Sequence, residues 1–176
     1  MTSLRIEPLP GYAPTVGRLV GMLGHARATL LAAVDGLTTE ELDHLHDPAS
    51  NPIGALLAHA EAVERWYQVL TFEGRRPTAD EEAAWGPALD LGEAGRRALC
   101  GRPLRWYVEA LADTRAATLA ALRERDDAWL EAPLAAAPRM NAHWAWFHVA
   151  EDEINHRGQI RWLRARLPRR AGPPPP

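Results

Sequence analysis

Asp152 and His156 stand four residues apart in the run HVAEDEINHRGQIRWLRARL. If that run is helical, the two side chains project from one face on successive turns. A carboxylate oxygen and an imidazole nitrogen can then converge on one cation. The neighbours make this spacing informative. At about 100° per residue, Ala145, Val149, Ile160, Leu163 and Leu167 fall on one apolar stripe, and Asp152 and His156 lie inside it. A buried, unpaired carboxylate costs at least several kcal/mol after relaxation. Three arrangements offset that cost: a hydrogen bond from His156, an arginine from another helix, or a metal ion. His148, at the edge of the stripe, is a rival partner for Asp152. His148 and His156 are eight residues apart, roughly 12 Å along a helix axis, so they do not readily share an ion. Periodicity leaves both pairs open.

A metal site needs at least three protein ligands, with a further position open if it is catalytic. His59, in SNPIGALLAHAEAVERWY, is the candidate third ligand; it shares a stripe with Val63, Trp66 and Leu70. A lone histidine there is more commonly a packed boundary residue, and it gains weight only if Asp152 and a second histidine arrive at the same place. His25, His44, His46 and His143 are weaker candidates. Cys100 has no histidine near it in sequence and reads as an inert thiol. Glu153, Arg157, Arg161 and Arg164 read as a solvated face with a Glu153–Arg157 pair. Trp66, Trp106, Trp144 and Trp162 suit packing between helices, and Gly158 suits a close helix approach.

These residues must be positioned by helices. Four long helical segments are predicted: Val16 to Val34, Asn51-Pro52 to about Phe72, Pro103 to about Arg125, and Asn141 to Leu167. Thr38-Thr39-Glu40-Glu41 reads as a capping box opening a short helix. Residues 74–103 form a long connection with room for short helices around Ala79–Trp85 and Glu93–Cys100. Its length permits a crossover between the second and third long helices. No strand of period two stands out. The expected fold is all-α, a four-helix bundle over residues 1–168, with a proline-rich, disordered tail at 169–176.

Composition narrows the function classes. A 176-residue chain with 47% hydrophobic residues can bury a real core. Its net charge of −3 argues against general nucleic-acid binding. All 20 basic residues are arginine, a coding bias from which no chemistry follows. One cysteine forms no internal disulfide, and neither a signal peptide nor a membrane span is visible. A soluble cytoplasmic protein with no nucleic-acid or membrane partner and room for a homodimer is the expectation.

The two quoted runs resemble the metal-ligand helices of the DinB-like superfamily, and more closely its uncharacterised-domain branch known as DUF664. In that superfamily one histidine comes from the second helix and two ligands, spaced i and i+4, come from the fourth. Carried over, the resemblance implies His59, Asp152 and His156 as the metal ligands and sets His148 aside. The family commonly has Glu or His where Asp152 stands; a carboxylate there resembles the branch with mycothiol-dependent maleylpyruvate isomerase. Two imidazoles and a carboxylate suit zinc or nickel, and also iron or manganese. Several members of the superfamily resemble S-transferases that use mycothiol or bacillithiol. The resemblance therefore implies a metal-activated low-molecular-weight thiol that attacks an electrophilic small molecule. A metal-dependent hydrolase on the same ligands is the first alternative, favoured if a second carboxylate such as Glu64 lies near the ion, and a non-catalytic metal-binding or structural bundle the second.

Overall fold

Threonine and asparagine side chains cap three of the eight helices formed by the described residues. The computed structural model describes residues 5–168; the expected tail at 169–176 lies outside the described residues. After α1 (Pro14–Val34), Thr38 opens α2 (Thr39–Asp43). Its hydroxyl accepts from the Glu41 amide at 3.3 Å, and the Thr38 amide donates to the Glu41 carboxylate at 2.8 Å. Thr78 and Glu81 repeat this reciprocal cap at α4 (Ala79–Asp90). α3 (Ile53–Phe72) is capped by Pro52 without a side-chain bond, because Asn51 accepts from the Gly92 amide instead. Gly74, at φ +67°, turns the chain away from α3. α5 (Gly92–Ala98) completes the connection to α6 (Leu104–Arg123). Then come α7 (Asp127–Glu131), a hairpin of β1 (Pro133–Leu134) and β2 (Ala137–Asn141), and α8 (Ala142–Arg164). Asn141 caps α8 by accepting from the Trp144 amide. The small hairpin and α7 were not expected from the sequence.

Side-chain bonds between the long helices give their directions. Glu61 and Gln68 of α3 meet Thr114 and Thr118 of α6 in rising order, so these two helices run parallel. Arg157 of α8 donates to Thr29 of α1, and Arg164 to Ala33, so α1 and α8 also run parallel. α3 and α8 run antiparallel, since Tyr67 meets Trp144 while His59 meets His156. A parallel α3–α6 pair needs a connection running the length of the bundle, and α4 and α5 supply it. The fold is therefore all-α, with the expected crossover.

The core is two apolar clusters. One gathers Leu19, Leu23, Val63, Leu122, Trp146 and Val149; the other gathers Leu30, Leu56, Leu57, Leu111, Ile160 and Leu163. In sequence, Arg27 falls between the two sets on α1, and Glu153 and His156 between them on α8. A polar stratum thus crosses the bundle where the two apolar halves meet.

Four expectations are corrected. Glu153 is fully buried rather than solvated and does not pair with Arg157; Arg157 is half-buried and donates to Thr29. Adding Ala142 and Trp146 to the buried face of α8 centres that face on Glu153. Trp106, Trp144 and Trp162 are exposed at the surface, while Trp146 is the tryptophan in the core. Gly158 has open space around it; the close approach is at Gly54, where an added Cβ would lie 2.7 Å from the Tyr107 hydroxyl.

Candidate metal centre

His59 on α3 and Asp152 and His156 on α8 meet across the α3–α8 contact. His59 Nε2 lies 3.5 Å from Asp152 Oδ1, and His156 Nε2 lies 3.2 Å from the same oxygen. The two imidazole centroids are 4.8 Å apart, with the ring planes at 75°. One ligand atom from each residue lies within 4.8 Å of the other two, compatible with a single ion between them. The three side chains are 9–15% exposed, so the cluster is largely dry but reachable.

The backbone of α4 fixes the proton on His59. Its Nδ1 lies 2.9 Å from the Ala88 carbonyl oxygen, which can only accept. Nδ1 therefore carries hydrogen, and in the neutral ring the Nε2 lone pair faces the Asp152 carboxylate. Two lone pairs directed at each other need a cation between them or a second proton on the ring. A histidine whose far nitrogen donates to a carbonyl is the common arrangement behind a metal ligand. Two more atoms of the cluster, Asp152 Oδ2 and His156 Nδ1, are buried without a hydrogen-bond partner.

The electrostatics point the same way. Burial pushes the Asp152 carboxyl up, but the His156 and His59 imidazoles outweigh it and hold the group well below the usual carboxylate range. Burial pushes His59 down, yet the Asp152 carboxylate and the Ala88 and Leu89 carbonyls leave it raised. Tyr67 is pushed up to about 12, first by burial and then by the charge of Asp152. The cluster is thus an anionic pocket that favours positive charge.

His148 stands apart from this cluster. It is stacked on Trp144 with ring centroids 5.1 Å apart, lies edge-on to Tyr67, and contacts Glu151 at 3.2 Å. Glu64 is also elsewhere. Its carboxylate accepts from Arg115 at 2.7 Å, Arg27 at 2.8 Å and Thr118 at 2.6 Å. Glu153 Oε1 accepts from the same two guanidinium groups, each at 2.7 Å. Two arginines and two glutamates therefore neutralise one another inside the bundle. The arginine considered as a partner for Asp152 goes instead to its neighbour Glu153. Cys100 is exposed.

The model of the family described as mycothiol-S-transferase matches residues 18–168, a span that includes His59, Asp152 and His156. The chain belongs to the mycothiol-S-transferase family. This places it in the DinB-like superfamily, as the two sequence runs suggested. No curated protein matches the chain. No helix among the described residues is long and apolar enough to cross a membrane.

Tyr67, the Ala88 carbonyl and the buried charge quartet do not stand out from the sequence as the three candidate ligands do. The quartet had a signal: Arg27 and Arg115 occupy positions of α1 and α6 between Leu23 and Leu30 and between Leu111 and Leu122. A charge at a core position is costly unless paired. The Ala88 carbonyl had none, since any residue type supplies one.

Proposed function

We propose that this mycothiol-S-transferase family member is a metal-dependent transferase that joins the sulfur of mycothiol to an electrophilic small molecule. His59 Nε2, an Asp152 oxygen and His156 Nε2 hold one divalent cation, zinc or nickel first. The observation that carries this reading is the His59 tautomer: with Nδ1–H committed to Ala88, the neutral ring offers only a lone pair to the Asp152 side. When bound, the ion lowers the pKa of a thiol so that its sulfur is a thiolate near neutral pH.

The remaining work belongs to the chain. The Ala88 carbonyl holds the His59 ring so that its ligating nitrogen is already aimed. Asp152 balances one of the ion's two charges. The apolar packing of Val63 and Val149 near the site limits water. With a cation held by these three residues, no side chain would be required as general base, since the thiol proton could pass to solvent.

A second carboxylate beside the ion would favour hydrolysis, and Glu64, the candidate for it, is committed to Arg27 and Arg115. The transferase reading is tested with metal-loaded protein, mycothiol and monochlorobimane. Sulfur forms a bond to carbon, the carbon–chlorine bond breaks, and chloride leaves with the bonding pair. Fluorescent conjugate should form well above the uncatalysed rate, and chelation should abolish the excess. Conjugation at the uncatalysed rate by fully metal-loaded protein would overturn it.

A further inference from the structure

The outward side of α8 is apolar where a solvated helix face would be charged. Trp144, Phe147, Ile154 and Trp162 all stand on this helix and are 43–50% exposed. Phe147, Glu151, Ile154, Gly158, Arg161 and Ala165 follow one another at alternating steps of four and three residues, the spacing of a coiled-coil seam. All six are exposed, and Ala165 keeps helical backbone just past the last residue of α8. At about 100° per residue, Asp152 and His156 fall on the other side of the helix. The seam is therefore separate from the candidate metal centre.

The order of these six residues is self-complementary in the antiparallel sense. Phe147 and Ala165, Glu151 and Arg161, and Ile154 and Gly158 are three pairs with one shared centre, position 156. A two-fold axis beside that position sets each residue against the other member of its pair in a second copy. Large then meets small, and acid meets base. An added Cβ at Gly158 would have no atom within 4 Å, so the notch there is open to the Ile154 side chain of the second copy. Glu151 contacts His148 at 3.2 Å in its own chain and is still 46% exposed, so it can also reach a second cation. A parallel pairing does the opposite. It sets Glu151 against Glu151 and Arg161 against Arg161, and leaves two glycines facing each other across a gap.

The area fits a modest interface. A half-exposed aromatic side chain leaves about 100 Å² in water, so the three aromatics and Ile154 present roughly 400 Å². A dimer of standard size takes about 800 Å² from each copy, somewhat more than half of it apolar. The face supplies most of that apolar share, and Glu151 and Arg161 supply charge within the seam.

We infer that α8 pairs with α8 of a second copy, antiparallel about a two-fold axis near position 156, to form a homodimer. Its affinity should lie in roughly the micromolar range, given an interface at the small end of the standard class. The pairing is independent of the transferase reading, because no metal ligand takes part in it.

Sedimentation velocity on the full chain, over a concentration series through the micromolar range, reads the association. Wild type should pass from monomer to dimer as concentration rises. Glu151→Arg sets arginine against arginine at both charged layers, and should raise the dissociation constant roughly tenfold or more. Arg161→Glu should do the same with glutamates. An equimolar mixture of these two variants should dimerise like wild type, since opposite charges then meet only between unlike chains. Gly158→Leu fills the notch and should also weaken the dimer roughly tenfold or more. Leucine has room there within its own chain and favours helix over glycine, so the variant monomer should melt no lower than the wild-type monomer. That comparison separates loss of pairing from loss of fold. A wild-type chain that stays monomeric throughout the series would overturn the inference. So would a dimer left intact by Glu151→Arg and Gly158→Leu, or a mixture that associates no better than its two components.

Discussion

At the scale of single residues, the weight falls on His59, because its two ring nitrogens have different partners of fixed character. Removing it by His59→Ala should lower metal affinity at least 10-fold to 100-fold, the range seen when even supporting groups of a site are lost. Competition titration with a chromophoric chelator would measure this, and unchanged affinity would contradict it. Protons compete for the same nitrogens. The metal-free cluster raises His59 above its ordinary value, so the proton is held more tightly than by a free imidazole. Bound metal should therefore be retained at alkaline pH and released as pH falls, with proton competition setting in at higher pH than for a free imidazole. Metal analysis after dialysis from alkaline to acid pH checks the sign; occupancy rising toward acid pH would contradict it. The sequence made His59, Asp152 and His156 visible because polar side chains inside an apolar stripe must be compensated. It could not say that Ala88 would orient the imidazole, since that depends on the path of α4. Glu153 was misread for a definite reason. With Trp146 left out, the apolar arc of α8 was drawn too far to one side, and Glu153 fell outside it.

At the scale of elements, the Arg27–Glu64–Arg115–Glu153 quartet ties α1, α3, α6 and α8 together. Truncating one member leaves its partners charged and buried. Arg115→Ala should destabilise the fold by about 3–5 kcal/mol, read from urea denaturation, whereas a loss below about 1 kcal/mol would match an exposed pair and contradict the burial seen here. The close contact of α3 with α6 makes a second prediction. Gly54→Ala places a methyl against Tyr107, which is 1% exposed and donates to the Leu99 carbonyl, so the ring has little room to move. Overpacking of this kind costs about 1–3 kcal/mol, and thermal denaturation measures it. The four long helices and the α2 cap were legible because periodicity and capping are local. The β1–β2 hairpin was not, since β1 has two residues and the five of β2 do not alternate between buried and exposed.

At the scale of the whole molecule, the bundle places two different polar devices in one stratum between two apolar halves. The charge quartet sets two arginines against two glutamates, with Glu153 Oε2 buried and without a hydrogen bond. The His59–Asp152–His156 cluster carries one carboxylate between two imidazoles and is partly open. The crossover matters to both: it makes α3 and α6 parallel, and it carries α4 past His59 so that Ala88 can hold the ring. Because an ion bound only in the folded state stabilises it by mass action, holo protein should melt above apo protein. The gain is about 2.7 kcal/mol at a free metal concentration 100-fold above Kd. The most direct test of the account is metal analysis of tag-free protein reconstituted with zinc or nickel and then dialysed, for wild type, His148→Ala and His156→Ala. Wild type and His148→Ala should each hold one ion per chain, and His156→Ala should lose it. A full equivalent retained by His156→Ala, or none bound by wild type, would contradict it.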